Sequence, residues 1–170
     1  ERNAENAART AIGARDAAAS ALGGVREALK ELPAGDTLII AEDLGDITPE
    51  VEALVRDSGF PGMRVLQFGF LSGEDCPHTP HNYPSNCVAY TGTHDNNTLL
   101  GYVWEMDDAT RGRLMEYCGF TGDWDRCYDS ILRTMFASHA GLLVLPVQDL
   151  LQYGSDTRIN TPGRSVGNWS

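Results

Sequence analysis

Apolar positions in this chain fall into two alternating patterns, short unbroken runs and stripes at helical spacing. Leu38-Ile39-Ile40-Ala41 is an unbroken run leading into Glu42-Asp43-Leu44-Gly45, which predicts a strand buried on both faces and delivered into a glycine turn. Ahead of it, Val25, Ala28, Leu29 and Leu32 recur at helical spacing as far as Pro33. After it, Thr48-Pro49-Glu50 reads as an N-cap, a first-turn proline and an acid at the positive end of a helix. Val51, Leu54 and Val55 form that helix's apolar stripe, and Ser58-Gly59 stops it. Met63 to Phe70 predicts a second strand, Val88 to Thr91 a third, and Leu142 to Val147 a last one whose end Pro146 makes irregular. Helices are predicted over 97–106, 108–118 and 124–138.

Strands near 38, 63, 88 and 142 with helices between them give an α/β fold with a parallel sheet. Right-handed crossovers would lay those helices in one outer layer, and four such units amount to half of an eight-fold barrel. Residues 1–24 stand apart, because they hold nine alanines and no clean apolar stripe with which to dock on a core. The expected organisation is an Ala-rich segment, 1–24, followed by a globular unit, 25–170. Residues 71–86, rich in proline, histidine and asparagine, make a long loop and a candidate substrate rim. The closing stretch from Gly154 to Ser170 provides no helix to seal the last strand and reads as an interrupted chain.

Composition narrows the ligand. At 170 residues and 42% hydrophobic content the chain has material for one sizeable core. A formal charge of −11 argues against a nucleic-acid backbone or an anionic membrane as partner, and leaves a neutral polar ligand such as a sugar compatible. The four cysteines, at 76, 87, 118 and 127, form no C-x-x-C pair and read as free thiols in a reducing compartment. No apolar run reaches the about 18 residues that a membrane span needs, so the expected location is the cytoplasm.

Ligands of parallel sheets sit at the carboxyl ends of the strands. Two such ends carry acids here: Glu42-Asp43, and His94-Asp95-Asn96 after the run at 88–91. Glu42 has the reach to protonate a departing oxygen, while Asp43 is suited to bonding nearby backbone or orienting a second group. Taken alone, two acid-bearing strand ends would make Asp95 the nucleophile of a retaining pair. A metal centre is not expected, since no second histidine pairs with His94 at helical spacing. The serine-hydrolase motif G-x-S-x-G and the phosphate loop G-x-x-x-x-G-K are both absent. Recognition of hydroxyl groups by His94, Asp95 and Asn96 fits better.

Five stretches occur in a telling order: Ile40-Ala41-Glu42-Asp43-Leu44-Gly45, Pro61-Gly62-Met63-Arg64-Val65-Leu66-Gln67-Phe68, Pro80-His81-Asn82-Tyr83-Pro84, Tyr90-Thr91-Gly92-Thr93-His94-Asp95-Asn96 and Asn160-Thr161-Pro162-Gly163. Together they resemble the second half of the 4-alpha-glucanotransferases (amylomaltases, or disproportionating enzymes), over about residues 25–170. The resemblance implies that the strands match the fifth to eighth of a (β/α)8 TIM barrel of the alpha-amylase superfamily, making the chain its C-terminal half. It implies Glu42 as general acid/base and Asp95 as the carboxylate that stabilises the transition state. His94 and Asn160 would contact sugar, with Asp43 and Asn96 beside them among the substrate-binding residues. The implied reaction moves a segment of an alpha-1,4-glucan or maltooligosaccharide between chains with retention, and needs no metal or organic cofactor. The family's nucleophile lies in an Arg-x-Asp-His stretch on the fourth strand, and no Arg-x-Asp occurs here. The missing N-terminal half of the barrel is therefore an expected partner, and this chain alone is expected to be inactive. A non-catalytic glucan-binding half-barrel and an alpha-glucan hydrolase of the same superfamily are the alternatives.

Overall fold

A computed structural model describes Gly13, Ser20 and residues 39–45, 47–71, 76–123 and 126–169. The chain divides into two units, Glu1–Gly62 and Met63–Ser170. The expected Ala-rich segment, apart from Gly13 and Ser20, and the expected helix from Val25 to Leu32 lie outside the described residues.

In the first unit, the run ending at Ala41 follows Pro61-Gly62. Ala41 N–H donates to the Pro61 carbonyl at 2.9 Å, and Ala41 forms a parallel bridge with Gly62. Of the strand expected at 38–41, this single bridge is what the described residues retain. The helix α1, Pro49–Ser58, follows its local signals. Thr48 Oγ1 accepts from Val51 N–H at 3.5 Å, Pro49 occupies the first turn where its missing N–H costs nothing, and Glu50 and Glu52 face the positive end. Gly59 ends it at φ 73°, a left-handed conformation that suits glycine and returns its N–H to the Arg56 carbonyl.

The second unit is mixed α/β. The strands β1 (Gly62–Val65), β2 (Cys87–Tyr90) and β3 (Leu142–Val144) lie in that order in one sheet. β2 and β3 run parallel, with Ala89 opposite Leu143. The helices α2 (Leu99–Glu105), α3 (Asp108–Tyr117) and α4 (Tyr128–Phe136) make the crossover between them. Thr98 caps α2 by accepting from Gly101 N–H, and Asp107 caps α3 by accepting from Thr110 N–H. Leu99 and Val103, Leu114, and Ile131 and Met135 enter one core from these three helices, against Ala89.

Two strands are shorter than the hydrophobic pattern predicts. The strand expected over 63–70 stops at Val65, because Leu66–Phe68 forms a 3-10 turn that buries Leu66 in the core and turns Gln67 inward to a hydrogen bond. The strand expected over 142–147 stops at Val144, since Pro146 instead caps the short helix α5, Val147–Leu150. The long loop is held down over its second half. Thr79 Oγ1 donates to the Gly69 carbonyl, Asn82 Nδ2 to the Cys76 carbonyl and Tyr83 O–H to the His78 carbonyl, each at 3.0 Å. Thr79, Pro80 and Tyr83 are buried, so this part of the stretch packs against the fold. No described helix is long and apolar enough to cross a membrane.

Candidate active site

The chain leaves β2 through Thr91 and enters α2 at Leu99, and the residues between them carry His94 and Asp95. This loop is stapled internally. Asn96 Oδ1 accepts from both the N–H and the Oγ1 of Thr93, each at 2.8 Å, which is how a short polar side chain closes a turn. Gly92 runs so close to Gln67 that a Cβ there would fall 2.5 Å from its Nε2. That Nε2 donates to the Asn97 carbonyl at 2.8 Å, and the Gln67 carbonyl accepts from Tyr102 O–H at 2.8 Å. Burial pushes the Tyr102 phenol up to about 12, so it remains a neutral donor.

The closing segment supplies the partners of Asp95. Asn160 Nδ2 donates to Asp95 Oδ1 at 2.6 Å, and His94 Nε2 stands 3.4 Å from Asp95 Oδ2. Arg158 ties the two loops together, donating from Nη2 to the Asp95 carbonyl at 3.1 Å and from Nε to the Asn160 carbonyl at 3.2 Å. Trp169 N–H donates to the Ile159 carbonyl, and its ring lies 5.2 Å from the His94 ring, centroid to centroid. Trp169 holds a φ of 59°, a conformation unusual for a bulky residue. The side chains of His94 and Asp95 remain 54% and 56% exposed, so both stay reachable from outside.

A cavity of about 280 Å³ adjoins this cluster, near the small end of the ligand-pocket range. Thr93, His94, Asn96 and Arg158 give it polar groups, and Val144, Leu145 and Pro146 give it an apolar wall. Asp95 does not line it, although its neighbours do. Asp149 reaches the same cavity and is 1% exposed. Its Oδ2 accepts from Thr91 Oγ1 and its Oδ1 from Leu99 N–H at 2.7 Å, while Tyr128 O–H donates to its carbonyl at 2.7 Å. Burial raises the Asp149 carboxyl above the usual range, and the Thr91 and Leu99 hydrogen bonds pull it back.

In the other unit, the two adjacent acids diverge. Glu42 is exposed, whereas Asp43 is 9% exposed and packs over Gly62, where a Cβ would lie 2.5 Å from Asp43 Oδ2. The structure thus gathers His94, Asp95 and Asn160, keeps Asn96 as the staple of their loop, and holds Glu42 and Asp43 in the first unit. Among the described residues, no group of three or more His, Cys, Asp or Glu side chains is placed to hold a metal ion. Sequence reasoning missed Gln67, Asp149, Arg158 and Trp169. For Asp149 the usable signal was an acid within the stretch Leu142 to Leu151, which is apolar apart from Gln148 beside it.

The sequence profile of the 4-alpha-glucanotransferases matches residues 6–170. The chain belongs to the 4-alpha-glucanotransferase family. A chloroplastic/amyloplastic 4-alpha-glucanotransferase of Arabidopsis thaliana is 45% identical to it over 135 residues, covering 79% of this chain and 23% of that protein. The 4-alpha-glucanotransferase of Synechocystis sp. is 46% identical over 137 residues, covering 79% and 27%. The chain spans about a quarter of the length of these relatives. Among solved structures, the amylomaltase from Streptococcus agalactiae in complex with acarbose superposes with a TM-score of 0.77 at 34% identity, over 87% of this chain and 29% of that one. The amylomaltase from Corynebacterium glutamicum shares the fold, with a TM-score of 0.55 at 17% identity over 78% of this chain and 24% of that one. The family expected from the five ordered motifs is therefore the family found, with the α/β architecture and parallel sheet of this glucanotransferase chain.

Proposed function

We propose that this chain is the C-terminal half-barrel of a retaining 4-alpha-glucanotransferase, with its strands in the places of the fifth to eighth of a (β/α)8 barrel. The observation that carries the reading is the Asp95 cluster at the end of β2: a solvent-facing carboxylate bonded by Asn160 and flanked by His94, in a member of this family. Asp95 serves as the carboxylate that stabilises positive charge developing on the sugar ring, and His94 and Asn160 fix its geometry and contact sugar hydroxyls. Asn96 contributes by shaping the loop. Glu42 protonates the glycosidic oxygen as the bond to the leaving glucan breaks, and the sugar carbon bonds to a nucleophilic carboxylate from the other half of the barrel. Glu42, now ionised, then takes the proton of an acceptor sugar hydroxyl as that oxygen displaces the carboxylate. The packing of Asp43 over Gly62 supports a role in fixing the strand end that presents Glu42. A glucan-binding module has no need of an acid at 42, which favours the enzyme.

The substrates proposed are alpha-1,4-glucans and maltooligosaccharides, and the partner is the N-terminal half of the barrel, which supplies the nucleophile. The four free cysteines support a reducing location such as the cytoplasm. Maltotriose incubated with the intact polypeptide that carries this chain tests the reading. Oligosaccharides longer than maltotriose are expected, whereas glucose and maltose alone would make it a hydrolase and no conversion would remove the enzyme assignment.

A further inference from the structure

We propose that Asp149 is the positioning residue of the Asp95 loop, one buried carboxylate pinning both ends of the segment that carries His94 and Asp95. The inference rests on the glucanotransferase reading for what the loop does, and on the hydrogen bonds for how it is held. Thr91 is the last residue before the loop and Leu99 the first after Thr98, and each meets a different oxygen of the same side chain. The partners lie 58 and 50 positions away in sequence, so local propensity does not set this closure. Tyr128 O–H fixes the carbonyl of Asp149 itself, and at 1% exposure water does not compete for the carboxylate.

The loop's other bonds are of a different kind. The Thr93–Asn96 staple moves with the loop, and Gln67 and Ser155 hold only its second half through Asn97. Asp149 alone among these groups takes one bond from each end. Asn160 and Arg158 bond Asp95 itself at the middle of the segment, and Asp149 sets the two ends from which that middle projects toward them. A shift of about 1 Å in a reacting or stabilising group is enough to cost on the order of 100-fold in rate.

The chemistry distinguishes the substitutions. In Asp149→Asn the amide oxygen still accepts from Leu99 N–H, and the amide nitrogen donates to the Thr91 hydroxyl, which accepts as readily as it donates. Asp149→Ala loses both anchors. Thr91→Val loses one, and Thr91→Ser keeps it.

The test uses the intact polypeptide that carries this chain, with kcat and KM measured on maltotriose for each variant, alone and in the Asp95→Asn background. Asp149→Ala is expected to lower kcat roughly 10- to 100-fold with KM within about 3-fold, and Asp149→Asn to recover most of the loss. In the Asp95→Asn background the further loss is expected to shrink to a few-fold, because the loop then has no carboxylate to position and only His94 is left to misplace. Equal losses in both backgrounds, or a wild-type kcat in Asp149→Ala, would overturn the proposal. Should Asp149→Ala not fold, the Thr91→Val and Thr91→Ser pair carries the same comparison, with loss expected in the first and recovery in the second. Hydrogen exchange separates this inference from the functional reading. The amides of residues 92–98 should exchange faster in Thr91→Val than in wild type, whether or not the polypeptide transfers glucan, and unchanged exchange would overturn the positioning role by itself.

Discussion

Asp95 and Glu42 are both exposed acids, yet they are expected to fail in different ways when their charge is removed. Glu42→Gln in the intact enzyme keeps the shape of the side chain and removes the proton, a contribution of about 10²- to 10⁴-fold for a positioned acid/base. A donor with a good leaving group should recover part of that loss, since its oxygen departs without protonation. Equal losses on a natural glucan and on the activated donor would mean that Glu42 has another role. In the role proposed for Asp95, Asp95→Asn weakens stabilisation of the charge on the ring, so formation and breakdown of the glycosyl-enzyme should both slow, with no relief from a better leaving group. Mass spectrometry of a trapped intermediate checks the assignment, and a sugar bonded to Asp95 would restore the two-carboxylate mechanism. At this scale the sequence displays neighbours and conceals distant partners. His94, Asp95 and Asn96 were visible because they are adjacent at a strand end. Arg158 and Asp149 act across 63 and 50 to 58 positions, a distance over which no spacing rule operates.

Between α2 and α3 the chain turns sharply, and Arg111 holds the turn. Its Nε donates to the Val103 carbonyl at 2.9 Å, and its Nη2 to those of Trp104 and Met106. These carbonyls lie at or just past the end of α2, where the helix has no donors left for them and its dipole favours a cation. Arg111→Lys keeps the charge but replaces a planar fork with a single ammonium that does not span three carbonyls. A loss of about 1 to 3 kcal/mol is expected, read as a lower urea midpoint with an unchanged slope. A coincident unfolding curve would show that the fork is dispensable. Element order was legible from the hydrophobic runs and stripes, and the start of α1 from its local signal Thr48-Pro49, whereas α2 and α4 begin at Leu99 and Tyr128 rather than at 97 and 124. Strand ends were not legible. Hydrophobicity continues from Val65 into Leu66 although the backbone turns there, because a 3-10 turn also buries apolar side chains.

As a whole molecule, the 170-residue chain holds Glu42 and Asp95 but contains no Arg-x-Asp stretch. Incubated by itself with maltotriose, it is expected to make no longer oligosaccharide, and thin-layer analysis checks this; activity returning on addition of the family's N-terminal half would support the division of labour. Longer products from the purified chain alone would place the nucleophile among its own residues. The α/β order and the family were readable from the whole sequence, since five motifs in sequence order constrain far more than any one of them. The contact between Trp169 and His94 gives the chain an optical signal of its own. An indole resting on an imidazole changes its emission when the surroundings of that imidazole change, so a saccharide arriving beside His94 should alter Trp169 fluorescence without any added label. The change should saturate with maltoheptaose and disappear in Trp169→Phe, which leaves Trp104, at 64% exposure, and Trp124 as the background emission. A titration that leaves emission unchanged, or that survives Trp169→Phe, would detach this ring from the sugar site. If it holds, the kinetics of glucan arrival become visible in the protein's own ultraviolet emission, on the millisecond scale of stopped flow, before any bond is broken.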